Sequence, residues 1–105
     1  MTVNGTTLSM VRGDTERISV TPSTAFTSGD VVTMTVRKDV ESEIELQKIV
    51  TEFTEGVAYI DITHEDTATM AFGAYVYDIQ VQWASGAIKT LVKKSTFKLE
   101  EEVTY

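Results

Sequence analysis

His64 is the only histidine in this 105-residue sequence, and it is followed directly by Glu65 and Asp66. With Asp61 and Asp78 a little way off along the chain, these are the groups that could carry a proton or hold a hard cation. Acid–base or nucleophilic catalysis needs more than a titratable group: an imidazole must stand against a nucleophile, and no serine motif here places one beside His64. His64 therefore reads as a surface or capping residue. Asp61, Glu65, Asp66 and Asp78 lack the spacing of a calcium-binding loop, and Asp66 reads as the cap of a short helical turn, bonded to the backbone amides just after it. The chain has no cysteine, hence no thiolate nucleophile, no disulfide and no cysteine-based metal site. Its six glycines are scattered about one per turn, which describes connections and no phosphate-cradling loop. Most aromatic residues fall on inward-facing parities, leaving Tyr59, Phe53 and Tyr105 as the ones free to be exposed. The expectation is a non-enzymatic protein with no catalytic residue, no metal site and no cofactor.

Composition agrees with a folded binding or structural module. A chain of this length forms one domain, residues 1–105, and buries roughly 65% of its unfolded surface without metal or disulfides. Hydrophobic residues make up 42%, which argues against disorder, and abundant Thr and Val with a single Pro favours strands. A formal net charge of −7 repels phosphate backbones, so nucleic acid is not an expected partner. Nothing at Met1-Thr-Val-Asn-Gly resembles a signal peptide, and no apolar run reaches the roughly 20 residues of a membrane helix. A soluble product of the cytoplasm is expected, with no membrane partner.

The elements that must position these residues centre on Asp66 to Trp83. Tyr75, Tyr77, Ile79, Val81 and Trp83 share one parity, while Val76, Asp78, Gln80 and Gln82 share the other. A strand repeats its side-chain direction every two residues, so this is a half-buried strand with an aromatic and aliphatic inner face. Asp66 to Met70 suits one helical turn ahead of it, and Gly73 can take a positive φ. An acidic residue, a turn, Gly73 and then Tyr75 two positions before Tyr77 looks like the tyrosine corner of immunoglobulin-type sandwiches. The alternative is that Tyr75 is one more cross-strand aromatic. Asp66, Gly73, Tyr75 and Tyr77 are thus candidate structural residues of the corner.

The other segments read as strands too. Thr6 to Val11 carries Leu8 and Met10 on one face, and Arg12-Gly13-Asp14 is a turn, although the same tripeptide is the integrin-binding signature. Thr15 to Thr21 turns Ile18 and Val20 inward, Pro22 ends that strand, and Phe26 plugs one end of the core. Ser28-Gly29-Asp30 leads into Val31 to Lys38. Asp39 to Glu43 reads as a solvated loop followed by an edge strand, with a short amphipathic helix over 39–50 as the alternative. Phe53 to Gly56 is a hairpin turn, and Val57 to Thr63 faces Ala58, Ile60 and Ile62 inward. Beyond the Ser85-Gly86 turn, Ile88, Thr90 and Val92 share a parity that Phe97 and Leu99 do not, which predicts a β-bulge near Lys93 to Ser95. The tail from Glu100 is acidic and frays or docks; Glu100, Glu101 and Glu102 are candidate partner contacts. The sum is an all-β, antiparallel, immunoglobulin-like β-sandwich of six to eight strands with one short helical turn.

The order Arg12-Gly13-Asp14-Thr15, Gly29-Asp30 before Val31 to Arg37, Lys48 to Phe53 and Gly56-Val57-Ala58, then Asp66-Thr67 and Gly73-Ala74-Tyr75-Val76-Tyr77-Asp78-Ile79-Gln80, with Gly86 and Thr90-Leu91, resembles small β-sandwich proteins of phages and prophages. These include the N-terminal domain of siphophage upper baseplate proteins. The resemblance runs from about Thr7 to Thr104. It implies a virion structural role in a tail or baseplate, made in the bacterial host cytoplasm, with other virion or baseplate proteins as partners and a homo-oligomer as one form. Upper baseplate proteins continue well beyond such a domain, and this sequence stops at Tyr105. An immunoglobulin-like carbohydrate-binding or adhesion module is the alternative.

Overall fold

A computed structural model describes residues 7–21, 25–39 and 41–100. Pro22, Glu101, Glu102 and Tyr105 lie outside the described residues. Seven strands and one short helix follow in the order β1 (Leu8–Val11), β2 (Glu16–Val20), β3 (Val31–Arg37), β4 (Ile44–Val50), β5 (Ala58–Ile62), α1 (His64–Ala68), β6 (Gly73–Gln82) and β7 (Ile88–Glu100). They form two layers: a five-stranded sheet ordered β1-β7-β6-β3-β4 and a two-stranded sheet of β2 and β5.

Strict alternation explains the layering. β3 buries Val32, Met34 and Val36, β6 buries Tyr75, Tyr77, Ile79 and Val81, and their cross-strand register keeps these on one face. The two-stranded sheet answers with Ile18, Val20, Ala58, Ile60 and Ile62, so the inner faces meet in one core. Each such side chain contributes roughly 1.5–3 kcal/mol through removal from water. Phe26 closes one end, stacked on Phe53 at 4.9 Å and tilted against Trp83 at 5.9 Å. That stacking leaves Phe53 half-buried, where strand parity alone leaves it free to be exposed.

Three expectations are corrected, two by strand pairing and one by a helix cap. The sandwich is not purely antiparallel, because β1 runs parallel to β7, with Leu8 beside Phe97 and Met10 beside Leu99. The short helix begins at His64 and not at Asp66, since Thr63 takes the extended conformation of an N-cap. Ile88 and Thr90 do not join Val92 inside. Tyr77 pairs with Ser95 and Ile79 with Val92, so Lys93 and Lys94 together face Asp78; then Gln80 pairs with Thr90, leaving Leu91 as a second extra residue. One bulge switches the parity and the next switches it back, which turns Ile88 and Thr90 outward with Gln82 and Gln80. Ile88 is 66% exposed as a result.

Glu100 is likewise not a frayed tail: it ends β7 opposite Val11, and its carbonyl accepts the Arg12 amide at 2.9 Å. Over 39–50, residues Ile44–Val50 form an edge strand of the larger sheet.

The loop before β5 is a two-residue turn, with Thr54 and Val57 exchanging both backbone bonds and both central residues at positive φ, 51° at Glu55 and 78° at Gly56. A Cβ at Gly56 would meet the Ala25 Cβ at 2.5 Å, so only glycine fits there. Glu55 carries the strain that an asparagine tolerates better. The substitution Glu55→Asn is expected to raise stability by about 0.5 kcal/mol, read as a higher urea midpoint at unchanged slope.

Candidate functional site

Two regions gather the polar chemistry of the described residues. One is the corner between β5 and β6. The Asp66 carboxylate accepts a bond from the Thr63 amide behind it (2.8 Å) and an ion pair from Lys48 Nζ (2.9 Å). Asp66 thus caps the helix backwards, as the acidic member of a capping box, and not through the amides that follow it. Partial burial works to raise its pKa, but the Thr63 amide and Lys48 outweigh burial and hold it below the ordinary carboxylate value.

The next residue, Thr67, is fully buried, and its hydroxyl accepts the Gly13 amide at 2.8 Å. His64 lies 2.7 Å from the Gly13 carbonyl oxygen through Nδ1, a contact that requires a proton on that nitrogen. The Arg12-Gly13-Asp14 turn is therefore clasped on the corner, with the Arg12 guanidinium 4.1 Å from the centre of the Phe72 ring. Phe72 is 41% exposed and was not singled out by sequence, because its parity follows no strand.

Gly73, at φ +133°, opens β6, and Tyr75 donates its hydroxyl back to the Ala71 carbonyl at 2.7 Å while Lys38 Nζ sits 4.8 Å above its ring. Burial pushes the Tyr75 hydroxyl pKa up, and the charge of Glu45 adds to this. Tyr77 is buried and meets Phe97 edge-to-face at 6.5 Å. These bonds tie the corner to the start of β6.

The second region is the outer face of the five-stranded sheet. There Asp78 stands in a shallow depression of about 240 Å³ with Thr35, Arg37, Val76, Tyr77 and Lys94. Burial raises the Asp78 carboxyl above its ordinary value, and the Arg37 charge only partly offsets this. Arg37 itself donates to the Ser42 carbonyl oxygen at 2.7 Å. Beyond this charged patch, Ile49 on β4 and Ile88 on β7 are 61% and 66% exposed, and Ile44 is 44% exposed. Sequence parity placed Asp78 outward; it could not place Arg37 and Lys94 beside it, because that depends on cross-strand register and on the β7 bulges.

The carboxylates considered together from sequence are dispersed. Asp61 is clasped by Arg17 through two bonds (2.7 and 3.2 Å) on the outer surface of the two-stranded sheet, Asp66 caps the corner, and Asp78 faces out from the other layer. Among the described residues, no group of three or more His, Cys, Asp or Glu is placed to hold a metal ion. Among them, too, no helix is long and apolar enough to cross a membrane.

No family model matches the chain, and no curated protein matches it in sequence. Among solved structures, the chain is similar to the extracellular domain of the voltage-gated sodium channel beta4 subunit, described as a parallel homodimer with a role in cell-cell adhesion. The match has a TM-score of 0.50 at 11% identity, covering 96% of each chain. CopC from Methylosinus trichosporium OB3b matches at a TM-score of 0.44 and 16% identity, over 77% of this chain and 84% of that one. The beta4 likeness bears on the fold alone: an all-β sandwich of immunoglobulin-like character.

The corner sets a pH dependence. Asp66 is depressed in the folded state, so its contribution is fully present above the unfolded carboxylate pKa of about 3.9 and is lost as pH falls through the lower folded value. Asp66→Asn is expected to cost about 1–2 kcal/mol at pH 7, with the difference from the parent shrinking toward pH 3 in urea titrations.

Proposed function

We propose that this chain is a non-enzymatic structural protein of a phage or prophage virion, a tail or baseplate component that works through protein–protein contacts. The observation that carries the reading is the outer face of the five-stranded sheet. Ile49 and Ile88, each more than half exposed, share that face with a depression lined by Asp78, Arg37 and Lys94. Exposed apolar side chains on one face with a partly desolvated charge are what a specific protein contact uses: the isoleucines supply area, and the charges penalise a wrong partner. The order of motifs from Arg12 to Leu91 supports assigning that contact to a virion assembly, by resemblance.

A second reading, a carbohydrate-binding or adhesion module, is favoured by one feature. A depression of about 280 Å³ at the end of the sandwich sets the Phe53 ring beside Thr27, Ser28, Thr51 and Glu52, an aromatic surface next to hydroxyl and carboxylate groups.

The deciding experiment is co-purification with the products of neighbouring genes. Under the virion reading the parent chain forms a stable hetero-complex, and Ile49→Glu with Ile88→Glu weakens it at least tenfold while the circular dichroism spectrum is unchanged. A parent chain that binds no neighbour, yet shows saturable NMR shifts at Phe53 and Thr51 with a cell-wall glycan, would transfer the assignment to the second reading.

A further inference from the structure

The larger sheet ends in two edges of opposite charge. β1 pairs only with Phe97–Glu100 of β7, so the β1 side of β7 from Ile88 to Thr96 is unpaired among the described residues, and there it carries Lys89, Lys93 and Lys94, all exposed. No ion pair among the described residues takes any of these ammonium groups. On a chain of net charge −7, five of the other six cations are engaged, Arg17 with Asp61, Lys48 with Asp66, Arg37 with Ser42, Arg12 with Phe72 and Lys38 with Tyr75, and the sixth, Lys98, stands exposed further along the same strand β7. At the far edge stands β4, preceded by its loop, with Glu41, Glu43 and Glu45 exposed.

The two edges are also level with one another. Ser95 pairs with Tyr77, Tyr77 with Val36 and Val36 with Leu46, so Lys94 and Glu45 lie within one residue of the same row at opposite ends of it. Because β7, β6, β3 and β4 alternate in direction, β4 runs antiparallel to β7. A second copy displaced sideways, without being turned over, therefore brings its β7 antiparallel to the β4 of the first.

We infer that a second copy of this chain docks head-to-tail, the lysine edge of β7 against the glutamate edge of β4. The contact is heterologous: each copy uses one edge and leaves the other open, so the assembly closes into a ring or continues as a filament according to the turn per step. Lysines and bulges are the ordinary guards of an open strand edge against promiscuous pairing. Here the guard admits an acidic edge and rejects a neutral or basic one, which makes it a specificity device. The joint is held by exposed charges over one strand width, so it is weak and screened by salt. This inference rests on the reading of the chain as an assembly part, and it names one partner for that part.

Sedimentation velocity of the full chain tests it. At about 50 mM salt and high protein concentration the parent is expected to associate, with affinity falling at least tenfold by about 500 mM. A variant with Lys93→Glu and Lys94→Glu is expected to be monomeric, as is a variant with Glu43→Lys and Glu45→Lys. An equimolar mixture of the two regains association, because each supplies the edge the other can accept. All four sites are exposed, and circular dichroism checks that both variants fold. A parent that stays monomeric at low salt, variants that associate alone, or a mixture that does not would each overturn the inference, leaving the lysines as edge guards only. A parent that remains monomeric but forms the hetero-complex with a neighbouring gene product ends this inference and leaves the assembly reading standing; loss of both ends both.

Discussion

β6 is hydrogen-bonded on both sides, to β3 and to β7, and everything else in the sandwich is placed relative to it. Its alternation forces two opposite surfaces from one strand. Tyr75, Tyr77, Ile79 and Val81 must leave water together, and Val76, Asp78, Gln80 and Gln82 must then face outward. A one-residue slip would bury Asp78 and expose the two tyrosines, so the register of the central strand is held by the whole core. The partly buried carboxylate on the outer face is thus a consequence of the packing on the inner one.

The chain enters β6 through a corner that does two jobs with few residues. Asp66 satisfies the Thr63 amide and draws Lys48 in from the edge strand β4, while Thr67 and His64 hold the backbone of Gly13 from the β1–β2 turn. Two otherwise separate segments, β4 and the β1–β2 turn, are tied to one helix of five residues. Such a helix is too short to be stable alone, and its bonds to other segments keep it folded. His64 and Asp66, the residues most suggestive of acid–base chemistry in a linear reading, are both drawn into these bonds: Nδ1 of His64 faces the Gly13 carbonyl, and the Asp66 carboxylate takes the Thr63 amide and Lys48.

The outer face of the larger sheet is left open. The inner faces are consumed by the core and the corner by its own hydrogen bonds, while the outer face of the larger sheet keeps exposed isoleucines, a charged depression and two edges of opposite sign. Under the proposed assembly reading, such a surface draws its selectivity from charge placement more than from apolar area.

Much of the architecture was legible in the order of residues. Period-two alternation marked nearly every strand, glycine and aspartate marked the turns, and the spacing of Gly73, Tyr75 and Tyr77 drew attention to the corner, because these signals are local and each needs only a few neighbours in the chain. The misreadings share one cause. The outward turn of Ile88, the parallel pairing of β1 with β7, the backward cap made by Asp66 and the stacking that covers Phe53 all depend on which distant segment lies alongside. So does the meeting of Asp78 with Arg37 and Lys94. A sequence by itself determines which side chains want to leave water and with what period; only the tertiary structure decides what stands beside them, because register, bulges and sheet edges are properties of pairs of strands.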